Sequence, residues 1–127
     1  MTRILIIEDD DLVRDYLVDV LRRAGYEVEA AADGQAGVEM FRTRTMDLVI
    51  TDIIMPEKDG IETIMDLRRD NAHLKVMAIS GGGRTEPENY LNSARLLGAD
   101  LTMKKPFSNK ELLAAVAELL DRKAAAE

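Results

Sequence analysis

Ile4-Leu5-Ile6-Ile7 is an unbroken apolar run, and the chain repeats the device at Leu48-Val49-Ile50-Thr51 and again from Leu74 to Ile79. Short continuous runs of this kind suit strands buried on both faces rather than strands with one wet side. Each run is followed by a segment of helical spacing. Strands that alternate with helices imply a parallel sheet covered on both sides, because parallel neighbours need a crossover between them.

The intervening segments read as helices. Val13, Leu17, Val20, Leu21 and Ala24 recur at helical spacing, and Gly25 stops that helix. Val28 to Ala31 is a second, weaker strand. Asp33-Gly34 opens a helix carrying Val38, Met40 and Phe41, and Gly60 opens one carrying Ile61, Ile64, Met65 and Leu67. Thr85 and Glu88 have capping-box spacing ahead of Leu91, Ala94 and Leu97, with Gly98 as the stop. Leu101 to Met103 is a fifth strand. Ser108 and Glu111 form a second capping box, before the stripe Leu112, Leu113, Val116, Leu119, Leu120. Arg122 and Lys123 suit the end of that helix, where the macrodipole favours cations. The pattern is α/β, with five strands and five helices in alternation. Residues 1–123 make one domain and 124–127 a frayed tail.

Composition narrows the chemistry. The 127 residues suit a single core. A net charge of −7 argues against direct nucleic acid binding, which selects Lys/Arg-rich faces. No apolar run reaches membrane-span length, so no membrane role is expected. With no cysteine and one histidine, His73, neither a disulfide framework nor a zinc site is expected; a cytoplasmic setting is.

In an open parallel sheet, functional groups gather beyond the carboxyl ends of the strands. Glu8-Asp9-Asp10-Asp11 follows the first strand, Asp52 the third, Ser80-Gly81 the fourth and Lys104-Lys105-Pro106-Phe107 the fifth. Converging carboxylates raise one another's pKa, and a hard divalent cation relieves them. Metal, ammonium, hydroxyl and a carboxylate nucleophile are together the parts of a phosphoryl-transfer site. Each part also has a plainer reading. Asp52 taken alone is a turn residue ahead of Met55-Pro56. Asp10 and Asp11 suit a helix start, and Asp10 reads as its cap. Lys104 and His73 read as solvated, and Met55, Met65 and Met77 as core.

The pieces ILIIED at 4–9, TDIIMPEKDG at 51–60, AISG at 78–81, GAD at 98–100 and KPF at 105–107 occur in order, each at a strand end. On these the chain resembles bacterial two-component response regulator receiver domains from about residue 2 to 122, of the single-domain, chemotaxis-regulator-like kind. The resemblance implies a flavodoxin-like fold with strand order 2-1-3-4-5. It makes Asp52 the phosphoacceptor and gives Mg²⁺, with Mn²⁺ as an alternative, to Asp9, Asp52, the Ile54 backbone carbonyl and, through water, Glu8. Lys105 would contact the phosphoryl group, Ser80 would move toward it, and the Lys105-Pro106 bond would be cis. A sensor histidine kinase or histidine phosphotransfer protein would be the donor. The output would be a protein partner at the face formed by the fourth helix, fifth strand and last helix, or onward phosphotransfer. The chain would be a monomer or a weak phosphorylation-dependent dimer. It would not be an enzyme beyond its own phosphorylation and dephosphorylation.

Two positions depart from the family pattern. Thr102 stands where an aromatic switch residue is usual, and the loop after Ser80 is Gly81-Gly82-Gly83-Arg84, free to rearrange at low cost. Residues 54 and 83–84 flank the pocket and would tune phosphate lifetime. On this reading Asp52 is the one carboxylate that faces both a metal site and an ammonium. Rival readings are a receiver-like adaptor that works without phosphorylation and a small metal-dependent phosphatase. The second would place its Asp nucleophile after the first strand in a DxDxT-like pattern, and Asp9-Asp10-Asp11-Leu12-Val13 lacks the Thr. A dinucleotide site is disfavoured, since no GxGxxG follows the first strand.

Overall fold

The computed structural model describes residues 2–53, 60–71, 73–80 and 98–121. Five strands, β1 (Arg3–Ile7), β2 (Glu27–Ala31), β3 (Leu48–Asp52), β4 (Lys75–Ser80) and β5 (Leu101–Lys104), pair in parallel in the order β2-β1-β3-β4-β5. The described helices are α1 (Asp11–Arg23), α2 (Gly34–Thr43), α3 (Gly60–Asp70) and α4 (Asn109–Asp121). The helix expected between β4 and β5, with its capping box, lies outside the described residues. So do Met55, the glycine-rich loop, Arg122 and Lys123.

The continuous apolar strands divide their side chains between two cores. Ile4 and Ile6 of β1, with Leu48 and Ile50 of β3, pack under Leu17, Val20 and Leu21 of α1 and Leu112, Val116 and Leu119 of α4. Leu5, Ile7 and Val49 point the other way and pack with Val38 of α2 and Ile64 and Leu67 of α3. This is the period-two alternation of a strand applied to a sheet with no wet face.

Local signals set where helices begin and end. The Asp10 carboxylate accepts from the backbone N–H of Leu12 (2.9 Å) and Val13 (3.2 Å), capping α1 as expected. Gly25, at φ +100°, takes the left-handed turn that ends it. Asp33 caps α2 by accepting from the Ala36 N–H (2.8 Å). At α4 the capping box closes both ways: Ser108 N–H donates to Glu111 Oε1 and Glu111 N–H to Ser108 Oγ, each at 3.0 Å.

Met77 is fully buried as expected, but Met65 is 46% exposed, contrary to its assignment to the core. It lies at the margin of an apolar arc whose buried centre is Ile64 and Leu67. Three to four positions per two turns fill such an arc, and the next one turns outward.

At the amino-terminal edge of β4 and β5, Arg68 of α3 joins three segments. Its guanidinium donates to the carbonyls of Gly98 and Leu74 and, at 2.6 Å, to Asp100 Oδ2. The same Asp100 oxygen accepts from the Val76 N–H (2.8 Å), and the Asp100 N–H donates to the Val76 carbonyl (2.8 Å). The GAD triplet thus fixes the approach to β5.

Candidate phosphoryl-acceptor and metal site

The carboxyl ends of β1, β3 and β5 bring three side chains together. Glu8 is the first residue past β1; its N–H continues the ladder to the Ala31 carbonyl (3.0 Å). Asp52 ends β3, and Ile53 N–H bonds the Ile79 carbonyl (3.0 Å), which fixes the chain on leaving the sheet. Lys105 follows β5 directly and precedes a cis peptide bond to Pro106, as expected. Its ammonium donates to Glu8 Oε1 at 2.8 Å and to Asp52 Oδ2 at 2.9 Å. The Glu8 side chain is 2% exposed, that of Asp52 11% and that of Lys105 21%.

This geometry corrects one expectation. Asp52 is not alone in facing both the acidic cluster and the ammonium, because Glu8 does so too. One cation between two nearly buried carboxylates leaves a charge uncompensated. Burial pushes the Glu8 carboxyl up, the hydrogen bond and charge of Asp52 push it further, and Lys105 only partly opposes them, so it rises from its usual 4.5 to about 8. For Lys105, burial works against the ammonium, but its bonds to Glu8 and Asp52 outweigh that and raise its pKa.

The donor set fits a hard divalent cation. Glu8, Asp9 and Asp52 each offer a carboxylate oxygen, all within 4.8 Å of one another. Glu8 Oε2 is buried with no hydrogen-bond partner among the described residues. A buried carboxylate oxygen without a donor takes up either a proton or a cation, and an all-oxygen set suits Mg²⁺ or Mn²⁺. Asp9 is exposed at the mouth of the cluster, which leaves that side open to solvent.

The remaining expected residues are placed as follows. Ser80 is the last residue of β4, in register with Lys104, so its backbone lies at the same sheet edge as Asp52; its side chain is outside the described residues, as is Ile54. Thr102 is partly buried in β5, opposite Ala78 and two residues short of the strand's end. Lys104 and His73 are exposed, as expected.

Arg14 was not anticipated. Its Nη1 donates to the Glu8 carbonyl (2.8 Å), while Nη2 pairs with Asp11. The signal was present in the sequence as a basic residue at i+3 from an acidic first-turn residue. Nothing in the spacing alone showed that its other nitrogen turns back to the strand end.

Comparison with known proteins agrees with this geometry. Residues 4–117 match the family model described as response regulator receiver domain. The chain is 38% identical over 120 residues to the uncharacterized transcriptional regulatory protein YrkP of Bacillus subtilis, covering 94% of this chain and 50% of that protein. It is 35% identical over 123 residues to the transcriptional regulatory protein CusR of Escherichia coli, covering 97% and 53%. The chain therefore spans about half the length of the curated relatives it matches. Among solved structures it resembles a receiver domain protein from Clostridium thermocellum, with TM-score 0.87, 25% identity and 96% of each chain covered. It also resembles the response regulator TrrA of Thermotoga maritima in complex with Mg²⁺–BeF, with TM-score 0.83, 30% identity, and 94% of this chain and 99% of that one covered. Sheet order, strand-end carboxylates and similarity along nearly the whole chain lead to one conclusion: the chain belongs to the receiver-domain family of two-component response regulators.

Proposed function

We propose that Asp52 is the phosphoacceptor of this receiver domain and takes a phosphoryl group from a phosphohistidine on a sensor histidine kinase or histidine phosphotransfer protein. The observation that carries this reading is the Lys105 ammonium held between Glu8 and Asp52, 2.9 Å from Asp52 Oδ2, beside an acidic cluster whose buried Glu8 Oε2 has no partner among the described residues. Mg²⁺, held by Asp9, Asp52 and the Ile54 carbonyl and through water by Glu8, supplies charge neutralisation for the transferring group when bound. The residues do the rest. An Asp52 carboxylate oxygen attacks phosphorus, the P–N bond breaks with its electron pair going to the imidazole nitrogen, and that nitrogen is protonated. Lys105 then pairs with a phosphoryl oxygen that has replaced part of its contact with Asp52. Ser80 follows the new oxygens, and Thr102 lies on the strand through which the change reaches the output face. The setting is the cytoplasm, the output a protein partner or onward phosphotransfer, and the receiver itself contacts no nucleic acid. The meeting of carboxylates and an ammonium from the ends of β1, β3 and β5 supports a switch over a passive adaptor.

The test is intact-mass measurement after incubation with Mg²⁺ and acetyl phosphate. One base-labile phosphoryl adduct, absent from Asp52→Asn, is the expected result. Absence of any adduct, with the small donor and with kinase alike, overturns the reading and favours the adaptor. Steady turnover of phosphate esters favours the phosphatase.

A further inference from the structure

Asp9 is the most exposed of the three clustered carboxylates, and no side-chain hydrogen bond orients it among the described residues. Its direction is therefore set by its backbone. On one side of it, Glu8 is the residue at which the β1 ladder ends, its N–H satisfied by the Ala31 carbonyl. On the other side, Asp10 and Asp11 begin α1, with the Asp10 carbonyl accepting from the Arg14 N–H (2.9 Å). The Arg14 side chain folds back over this turn, as helical side chains do toward the amino terminus. One nitrogen takes the Glu8 carbonyl at 2.8 Å and the other takes the Asp11 carboxylate. The Arg14 side chain is 19% exposed, and its guanidinium grips the turn from both flanks of Asp9.

We infer that Arg14 is a positioning residue for divalent-cation binding: its planar fork spans the turn from strand end to helix start and holds Asp9 toward Glu8 and Asp52. The inference rests on the proposed metal-dependent function. A planar two-pronged donor serves such a task better than an ammonium, which offers a point charge without a fixed separation between donors. Outer partners that orient metal ligands typically change affinity by 10–100-fold when removed. Arg14 acts through the backbone of the turn rather than on a ligand oxygen of Asp9, which places the effect here near the lower end, about tenfold.

The test is Mg²⁺ titration of the full chain, followed by the backbone amide signals of residues 8–11, with thermal melting in EDTA alongside. Arg14→Met is expected to weaken binding about tenfold and Arg14→Lys several-fold, with Asp9→Asn as the reference for a lost ligand. The proposal is overturned by dissociation constants equal to wild type, above all if the EDTA melting temperature falls while affinity stays, since that marks a purely structural role. Should the Met variant not fold, Arg14→Lys decides, and unchanged affinity there is the overturning result. A wild-type chain that binds no Mg²⁺ removes the proposed function and this inference together. Wild-type binding with unchanged variants removes this inference alone.

Discussion

Glu8 holds Lys105 as closely as Asp52 does, at 2.8 Å against 2.9 Å, so the ammonium is shared rather than owned by the acceptor. A group added to Asp52 must therefore compete with a second carboxylate for its cation. The consequences can be measured separately at each corner of this triangle.

Removing the cation should expose the repulsion it masks. In Lys105→Met, Glu8 is expected to titrate above about 8, because Lys105 is the contact that lowers it. The Lys105 side chain is 21% exposed, so the metal-free loss of stability is placed below that of a wholly buried pair, at about 2 kcal/mol. Urea unfolding in EDTA, with the Glu8 carboxyl followed by NMR, measures both. A Glu8 titration unchanged from wild type contradicts the assignment.

Glu8 also sets a pH dependence whose sign is fixed. Its folded value of about 8 lies above its ordinary 4.5, so the folded chain binds more protons across that window. Its contribution to metal-free stability is complete below 4.5 and is lost as pH rises through about 8. Mg²⁺ binding near neutrality should release a proton and tighten toward pH 8. Glu8→Gln should flatten the stability profile in EDTA, and an equally steep profile in that variant refutes the attribution.

Gly37 marks a close approach of α2 to β1. A Cβ there would lie 2.4 Å from Ile7 Cδ1 and 2.6 Å from its Cγ1, and Ile7 is fully buried. Gly37→Ala gains about 1 kcal/mol of helix propensity but overpacks the core by about 2–3 kcal/mol, for a net loss of about 1–2 kcal/mol. Pairing it with Ile7→Val, which removes Cδ1, should recover part of that loss. Non-interacting effects in a double-mutant cycle of urea midpoints would show that the contact is not the cause.

The Arg68–Asp100 joint is distant from the acidic cluster and should act on stability alone. Asp100→Ala removes the acceptor for both Arg68 and the Val76 N–H, a loss of about 2–3 kcal/mol. Mg²⁺ affinity should stay at the wild-type value. A weakened affinity would place this joint in the switching pathway instead.

The elements were legible in the sequence where one force dominated. Ile4–Ile7 and Leu48–Thr51 lie within strands because both faces demand apolar residues, and Asp10, Asp33 and Ser108 lie at caps because a short acceptor satisfies orphan N–H groups there. Glu8, Asp9, Asp52 and Lys105 were legible as a group because the sheet rule sends strand ends to one edge. What was not legible depended on distance in space between residues far apart in the chain. The double hold on Lys105 joins positions 97 and 53 residues apart, and Arg68 reaches Asp100 across 32. Met65 failed for a smaller reason, since the width of an apolar arc does not say which marginal position faces out. Arg14 fell between these cases: its pairing with Asp11 is local, while its bond to the strand end depends on how tightly the turn closes.

The sheet order gives the Lys105 contacts a mechanical meaning. β5 is the outermost strand on its side, separated from β3 by β4 and from β1 by two strands. With strands about 4.8 Å apart, β5 and β3 lie roughly 10 Å apart, more than a lysine stem spans alone, so Lys105 and the Asp52 and Glu8 side chains meet between the strands. The lysine works as a drawstring from the rim of the sheet to its middle. Whatever alters charge at the middle changes the pull on the rim, where β5 is held by β4 on one side of the sheet alone.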